Sequence, residues 1–159
     1  MKLKVKPLSL IFLLVGTLFL LSSSLRAEDW PMWGRTPGRN MSAAGGEVRH
    51  DFSAGKLLRG TDRVDAETLK HVLWVEKLGS QSYGNPTVAG GRVYVGTNNE
   101  SPRDKRVVGD RGILLCLDAK DGKLQWQLVI PKLGAGKVSD WEYLGLCSSP
   151  AVEGEFVYV

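Results

Sequence analysis

Two polar segments of the sequence hold the side chains whose types could bind a ligand. Residues 98–111 are dense in amide and charged groups, and residues 131–148 add aromatic rings to carboxylates. The candidate binding residues in these segments are Asn98, Glu100, Arg103, Asp140, Trp141 and Tyr143. Carboxylates beside an aromatic ring can hold a sugar or a metal ion, and the alternative is a pair of solvated charged loops with a packing tryptophan. The spacing assigns no catalytic residue and no metal ligand.

A segment that occurs twice indicates what positions these loops. Residues 85–95 align without gaps on residues 149–159, so that Pro86 matches Pro150, and both copies end in the same three residue types. Each copy has the pattern of a short strand, a tight turn and a second strand. Because one hairpin cannot bury its own apolar faces, the repeat predicts an array of such units. The second copy reaches the last residue, so we expect an amino-terminal fragment of a longer protein.

The β-rich pattern from residue 72 onward predicts an all-β fold, a β-propeller of four-stranded antiparallel blades. We expect a ring-closing strand at residues 72–78, a first full blade at 86–130 and a next, truncated blade from 149. Trp74 and Trp126 each lie in a strand that precedes one of the repeated hairpins, so they are predicted to fill equivalent gaps between neighbouring sheets. Asp118 and Gly122 have the pattern of a turn between the third and fourth strands.

The lengths of the connections predict which face of the propeller binds a ligand. In a four-stranded meander, the first and third connections lie on one face and the second connection and the crossover lie on the other. The predicted turns at residues 89–91 and 119–122 are minimal, whereas residues 98–111 and 131–148 are long. Long loops on one face of a rigid scaffold are where binding residues collect.

The first 27 residues have the pattern of a secretory signal peptide. Three lysines precede a twelve-residue apolar run, Leu10–Leu21, and small or polar residues lead to Ala27. We expect cleavage after Ala27, a secreted or periplasmic protein and no membrane span afterwards; an uncleaved anchor is the alternative. The segment carries four of the 21 basic residues and none of the 17 acidic ones. The rest of the chain is therefore balanced in charge, which argues against a nucleic-acid partner.

Residues 28–71 are predicted to form a polar amino-terminal segment of loops and turns, in which residues 65–71 could form a short helix. The two cysteines, Cys116 and Cys147, are too few for a disulfide scaffold. We favour two buried thiols, or partners beyond the last residue of this sequence, and a bridge between the two cysteines is the alternative.

Residues 116–126 resemble the tryptophan-docking repeat of the quinoprotein propellers, the proteins related to pyrroloquinoline-quinone enzymes. Asp118, Gly122, Lys123 and Trp126 match that pattern, whereas Cys116 and Asp121 stand where it has alanine and threonine. Residues 29–34 also look like the opening of secreted bacterial proteins that carry this propeller. The resemblance covers residues 72–159 and that opening, and it implies about eight blades closed into a monomeric ring.

The resemblance leaves two functions open. The repeat is shared by quinone-dependent alcohol and sugar dehydrogenases and by propellers without a cofactor, such as the BamB-like outer-membrane assembly factors. The dehydrogenases hold pyrroloquinoline quinone with calcium, an arginine, a tryptophan floor and often a vicinal disulfide, so this cofactor is implied here by resemblance alone. No adjacent cysteine pair occurs, and no residue can be matched to those ligands. We therefore favour a non-catalytic module that binds an unknown protein, polymer or small molecule, with a quinoprotein oxidoreductase as the alternative.

Overall fold

The computed structural model describes residues 28–43, 49–134 and 140–159. The predicted signal peptide lies outside them, as do residues 44–48 and 135–139. All strands and sheets of the described residues are antiparallel. The strands are β1 (Ser53–Leu57), β2 (Val64–Lys70), β3 (Thr87–Ala89), β4 (Arg92–Asn98), β5 (Arg111–Asp118), β6 (Leu124–Pro131), β7 (Ala151–Glu153) and β8 (Phe156–Tyr158). Within the described ranges, no helix is long and apolar enough to cross a membrane.

The central sheet is a four-stranded meander in the order β3-β4-β5-β6. Gly90 and Gly91 both have positive φ, 58° and 74°, which is the backbone of a two-residue turn matched to the strand twist. The second copy of the hairpin, β7 and β8, pairs in the same register, with Ala151 opposite Tyr158 as Thr87 is opposite Tyr94. The structure therefore confirms the all-β class and the four-stranded blade.

Strand β5 is the centre of the core, because both of its faces are covered. Ile113, Leu115 and Leu117 point to one side and Leu114 and Cys116 to the other, and each is at most 3% exposed. Burial of one such leucine stabilises the fold by roughly 1.5–3 kcal/mol. The first side packs against an irregular segment through Trp74 and Leu78, and the second packs against the β7–β8 hairpin through Val152 and Val157. Neighbouring repeat units thus share a core, as the array predicted.

The ring-closing strand predicted at residues 72–78 stays a prediction, because the blade with which it would pair was expected outside this sequence. No residue of 72–78 lies in a β-ladder. The Trp74 ring instead lies against the turn after β5, where its Nε1–H donates to the Ala119 carbonyl oxygen over 2.9 Å. A Cβ atom added at Gly122 would lie 2.7 Å from the Trp74 ring. The segment is fixed by its side chain, so its apolar pattern does not require a paired backbone.

The possible helix at residues 65–71 is wrong, because β2 pairs with β1 in a hairpin there. The Thr68 hydroxyl accepts a hydrogen bond from the Lys56 amide over 2.7 Å and donates to the Asp65 carbonyl oxygen. This side chain bridges the irregular step in register between Ala54 and Lys56. A local hydrogen bond and strand pairing therefore outweigh the weak helical pattern of a short segment.

The start of the polar segment lies along the first strand of the blade. Trp30 and Val88 exchange both backbone hydrogen bonds, over 2.7 and 2.9 Å. The Pro31 carbonyl oxygen accepts a hydrogen bond from the Val152 amide over 2.7 Å. The segment therefore covers the free edge of β3 and reaches β7, which ties two repeat units together.

Both cysteines are free thiols. Cys116, in β5, is fully buried, as expected if the two cysteines are buried thiols. Cys147, which that expectation also placed in the interior, is exposed. It lies in the crossover before β7, where the loop follows the surface.

The other repeat residues also have defined places. Pro150 is fully buried and Pro86 is exposed, although the two are equivalent in the repeat. Asp118 closes the β5–β6 turn, since its Oδ1 accepts from the Lys120 amide over 2.8 Å. Trp126 is 39% exposed and its ring centroid lies 5.9 Å from that of Tyr94.

Candidate binding face

The two long connections leave the same end of the blade. The β4–β5 connection covers residues 99–110, and the β6–β7 crossover covers residues 132–150, while the turns at residues 90–91 and 119–123 lie at the other end. An irregular stretch, residues 79–84, passes the same end, because the Gln81 carbonyl oxygen accepts hydrogen bonds from the Asn98 amide and the Thr97 hydroxyl. Three chain segments therefore meet where β4 ends.

The Asn98 side chain joins these three segments. It is 1% exposed, and its Oδ1 accepts from the backbone amides of Ser80 (3.1 Å) and Glu100 (3.2 Å). Its Nδ2 donates to the Tyr143 carbonyl oxygen over 2.6 Å, to the Ser80 hydroxyl over 2.9 Å and to Glu100 Oε2 over 3.3 Å. Buried amide groups with all of their hydrogen bonds made fix local geometry, because each alternative leaves a polar group unpaired.

The β4–β5 connection is closed by its own polar side chains. Asn99 Nδ2 donates to the carbonyl oxygens of Val107 (3.0 Å) and Gly109 (3.1 Å). Arg103 leaves the loop to form an ion pair with Glu76 at 2.8 Å, and its guanidinium also binds the Lys77 carbonyl oxygen. The loop is thus held both internally and against the segment that carries Trp74.

An ion cluster fixes the crossover to the end of the blade. Lys132 Nζ lies 2.5 Å from Asp140 Oδ1 and 3.2 Å from Asp110 Oδ2, and it also donates to the Trp141 carbonyl oxygen. The hydrogen bond from Lys132, with a further one from the Leu133 amide, lowers the pKa of Asp140 below its usual value. Burial acts to lower the pKa of Lys132, but its bonds to the two carboxylates raise the pKa overall. Lys132 and Asp140 are therefore charged together at neutral pH.

Tyr143 has a strained backbone that the neighbouring side chains hold. Its φ is 56°, in the left-handed region that a residue with a bulky side chain rarely adopts. Its amide donates to Asp110 Oδ2 over 2.7 Å and its carbonyl oxygen accepts from Asn98. Such strain costs on the order of 1–3 kcal/mol and persists only where the surroundings determine it. The result is that the side chains of Trp141 and Tyr143 are displayed, 65% and 44% exposed.

The comparisons with known proteins identify the family. A family model described as "Outer membrane protein assembly factor BamB", of the pyrroloquinoline-quinone-repeat type, matches residues 33–159. The chain belongs to this family. No curated protein and no solved structure gives a significant match. Membership in the BamB-like repeat family agrees with the four-stranded blade and with the resemblance found in the repeat residues.

In this BamB-like chain, the six candidate residues divide into two groups. The side chains of Asn98, Arg103 and Asp140 form hydrogen bonds and ion pairs within the protein. Glu100 is exposed but also binds Ser80 through its carboxylate. Of the six, Trp141 and Tyr143 have aromatic side chains exposed to solvent, 65% and 44%.

Several residues of this face were missing from the sequence-based candidates. Asp110 and Lys132 hold the crossover, and Tyr83, 63% exposed, stands on the neighbouring segment with its hydroxyl donating to Gln81. The approach of Lys132 to Asp110 depends on long-range strand pairing, so no local pattern marks it. Tyr83 could have been found, since it lies between the predicted strands in a segment with turn residues on both sides.

The calcium and quinone implied by the quinoprotein resemblance find no matching donors in the described ranges. Within them, no group of three or more His, Cys, Asp or Glu residues lies close enough together to hold a metal ion. The carboxylates of Asp110 and Asp140, which could have served, are both bound to Lys132. The described residues therefore do not fit a calcium–quinone site.

Proposed function

We propose that this chain belongs to a secreted or periplasmic propeller that acts as a non-catalytic binding module. The partner is a protein, and it docks on the long-loop face through Trp141 and Tyr143. One observation carries the proposal: a network of buried and ionic side chains holds a strained loop so that two aromatic rings face solvent.

This face contains residues that support the loop and residues that are exposed on it, and this arrangement favours a binding role over a purely structural one. Holding Tyr143 in a left-handed conformation has a cost, and two groups, Asn98 and Asp110, compensate for it. A loop that served only as a connection would gain nothing from exposing a tryptophan. Exposed tryptophan and tyrosine side chains on rigid supports are the residues that dominate protein interfaces.

The family and the sequence support the partner class and the compartment. The matching family is described as an outer membrane protein assembly factor, whose function requires contact with other proteins. The signal-peptide pattern of residues 1–27 is consistent with export. Among the described residues, nothing favours the alternative function, quinone-dependent oxidation.

A photo-crosslinking amino acid placed at position 141 tests the proposal in the cells that make the protein. The matched control is position 52, because Phe52 and Trp141 are similarly exposed aromatic residues, 64% and 65%. We expect one protein to be captured from position 141 and not from position 52. Its purified form should then bind Trp141→Ala at least tenfold more weakly than the unmodified chain, with Phe52→Ala unchanged.

Two results would contradict the proposal. The first is capture of the same proteins from both positions, or equal affinity of the two alanine variants for the captured protein. The second is turnover of any alcohol or sugar by the full-length protein supplied with pyrroloquinoline quinone, calcium and an artificial electron acceptor. That outcome would establish the oxidoreductase instead.

A further inference from the structure

An open cavity of about 620 Å³ lies between the amino-terminal segment and the start of β7. Side chains within residues 32–39 line one side of the cavity, and residues 149–151 line the other side. The two walls are joined where the Pro31 carbonyl oxygen accepts a hydrogen bond from Val152. The cavity is separate from the long-loop aromatic pair, so an inference about it does not depend on the proposed function.

The only cationic side chain that lines the cavity, within the described residues, is Arg39. Its guanidinium carbon lies 5.0 Å from the centroid of the Trp33 ring. An arginine stacked on an aromatic face keeps its N–H groups free at the edge of the plane, because those donors point within the plane. No carboxylate or carbonyl oxygen of the described ranges accepts from this guanidinium. The group is therefore oriented without being neutralised.

The chain around Arg39 is built to hold it in place. Arg35 and Arg39 both have positive φ, 69° and 52°, which is costly for residues with long side chains. A Cβ atom at Gly34 would lie 2.9 Å from the Arg39 Cα, so the two backbones approach closely. Arg35 secures the same turn by donating to the Ser42 carbonyl oxygen over 2.8 Å and by pairing with Glu28. The strain is thus concentrated in the turn that presents the stacked guanidinium.

The rest of the lining is apolar apart from one hydroxyl group. Met32, Pro37 and Ala151 supply the apolar surface. Ser149 Oγ accepts from the Asn85 amide over 2.9 Å, and its own hydrogen has no acceptor among the described residues. The cavity therefore offers a charged donor, a neutral donor and an apolar wall.

We propose that this cavity binds a small organic carboxylate, with the carboxylate on Arg39 and an apolar body against Met32 and Ala151. A guanidinium pairs with a carboxylate through two parallel hydrogen bonds, which Ser149 can supplement. Inorganic phosphate fits less well, because a single arginine leaves most of its charge uncompensated and the apolar wall excludes its hydration shell. The ligand class is set by this pairing of one fixed cation with an apolar surface.

Isothermal titration of the full chain with phenylacetate tests the inference, and phenylacetamide is the neutral analogue of the same shape. We expect phenylacetate to bind with a Kd on the order of 1 mM. Phenylacetamide should bind at least about tenfold more weakly, because it cannot form the charged pair. Inorganic phosphate should not compete at equal concentration.

Arginine variants show whether binding occurs at this cavity. Arg39→Gln should weaken phenylacetate binding about tenfold, and Arg39→Lys should fall between the two, since an ammonium lacks the paired donors. Arg59→Gln removes the same charge from the exposed β1–β2 turn and should leave the affinity unchanged. Circular dichroism of each variant checks that the fold is retained. Equal affinity of Arg39→Gln and the unmodified chain, equal affinity for the amide, or no binding of phenylacetate would each overturn the inference.

Discussion

Replacing Asn98 with alanine tests whether one buried amide organises the long-loop face. The substitution removes five hydrogen bonds that join residue 80, residue 100 and residue 143 to the end of β4. Two of them end on the side chains of Ser80 and Glu100, which are exposed and can bond to water instead. Three end on backbone groups, and a neutral hydrogen bond contributes about 1 kcal/mol to stability. We therefore expect Asn98→Ala to lower the free energy of unfolding by about 3 kcal/mol.

The Asn98→Ala substitution should also change the structure of the crossover locally. Two hydrogen bonds hold the left-handed backbone of Tyr143, one at its amide and one at its carbonyl oxygen. Without Nδ2, the bond at the carbonyl oxygen is lost. The crossover should then relax, and hydrogen exchange at the amides of residues 80 and 100 should speed up strongly. Urea denaturation gives the change in stability, and hydrogen exchange read by mass spectrometry gives its location.

Two further variants separate hydrogen bonding from the loss of volume. Asn98→Asp keeps the shape and the acceptor but removes the donor, so a stability loss comparable to that of alanine is expected at neutral pH. Asn85→Ala removes an exposed asparagine close to the same repeat and should change stability by less than about 0.5 kcal/mol. The reasoning is refuted if Asn98→Asp is as stable as the unmodified chain, or if Asn98→Ala and Asn85→Ala unfold at the same urea concentration.

The remaining predictions concern the turn under Trp74 and the ion cluster. Gly122→Ala should lower stability by about 2 kcal/mol or more in urea denaturation, because its φ is 74° and a Cβ would meet the Trp74 ring at 2.7 Å. Gly90→Ala, where φ is 58° and the surrounding space is open, should lose only about 1 kcal/mol; equal losses would contradict the role of the ring. Trp74→Phe keeps an aromatic ring and removes one hydrogen bond, so a loss of about 1–2 kcal/mol is expected by the same method; no loss would show that the bond to the turn is immaterial. Lys132→Met should destabilise the chain at pH 7, and urea midpoints should show the deficit shrinking as pH falls below about 4. The stability from the lowered pKa of Asp140 is present above the ordinary carboxylate pKa and is lost as pH falls through the lowered one; a deficit independent of pH would refute this assignment.

The elements that the sequence predicted well are those defined by contacts between nearby residues. The hairpins at residues 87–98 and 151–158 follow from a glycine turn between alternating apolar residues, which fixes register locally. Residues 113–117 are all apolar, which is typical of a strand covered on both faces, and all five are buried. Local signals and the global fold agree in these segments, as they do in sequences that fold reliably.

The sequence was less informative where side-chain contacts, and not a regular backbone pattern, determine the local structure. Residues 72–78 have the composition of a strand, but Trp74 and Leu78 reach the core as single side chains from an irregular backbone. Residues 65–71 have a weak helical pattern, yet residues 65–70 pair with β1 in a hairpin whose irregular step is bridged by Thr68. In both segments the pattern of residue types did not identify how the backbone satisfies its own hydrogen bonds.

The sequence also could not show which residues of the candidate site bind each other. A high density of charged and amide groups predicted binding loops, but the structure shows that those groups mostly bind each other across long sequence separations. Asn98 is bonded to residues 80 and 143, and Lys132 to Asp110, and no sequence spacing shows that these segments meet. Because the charged groups neutralise one another, the surface available to a partner is mainly aromatic, at Trp141 and Tyr143. A charge-rich loop on a propeller face can therefore be the support of a binding surface, while the less polar residues within it make the contact.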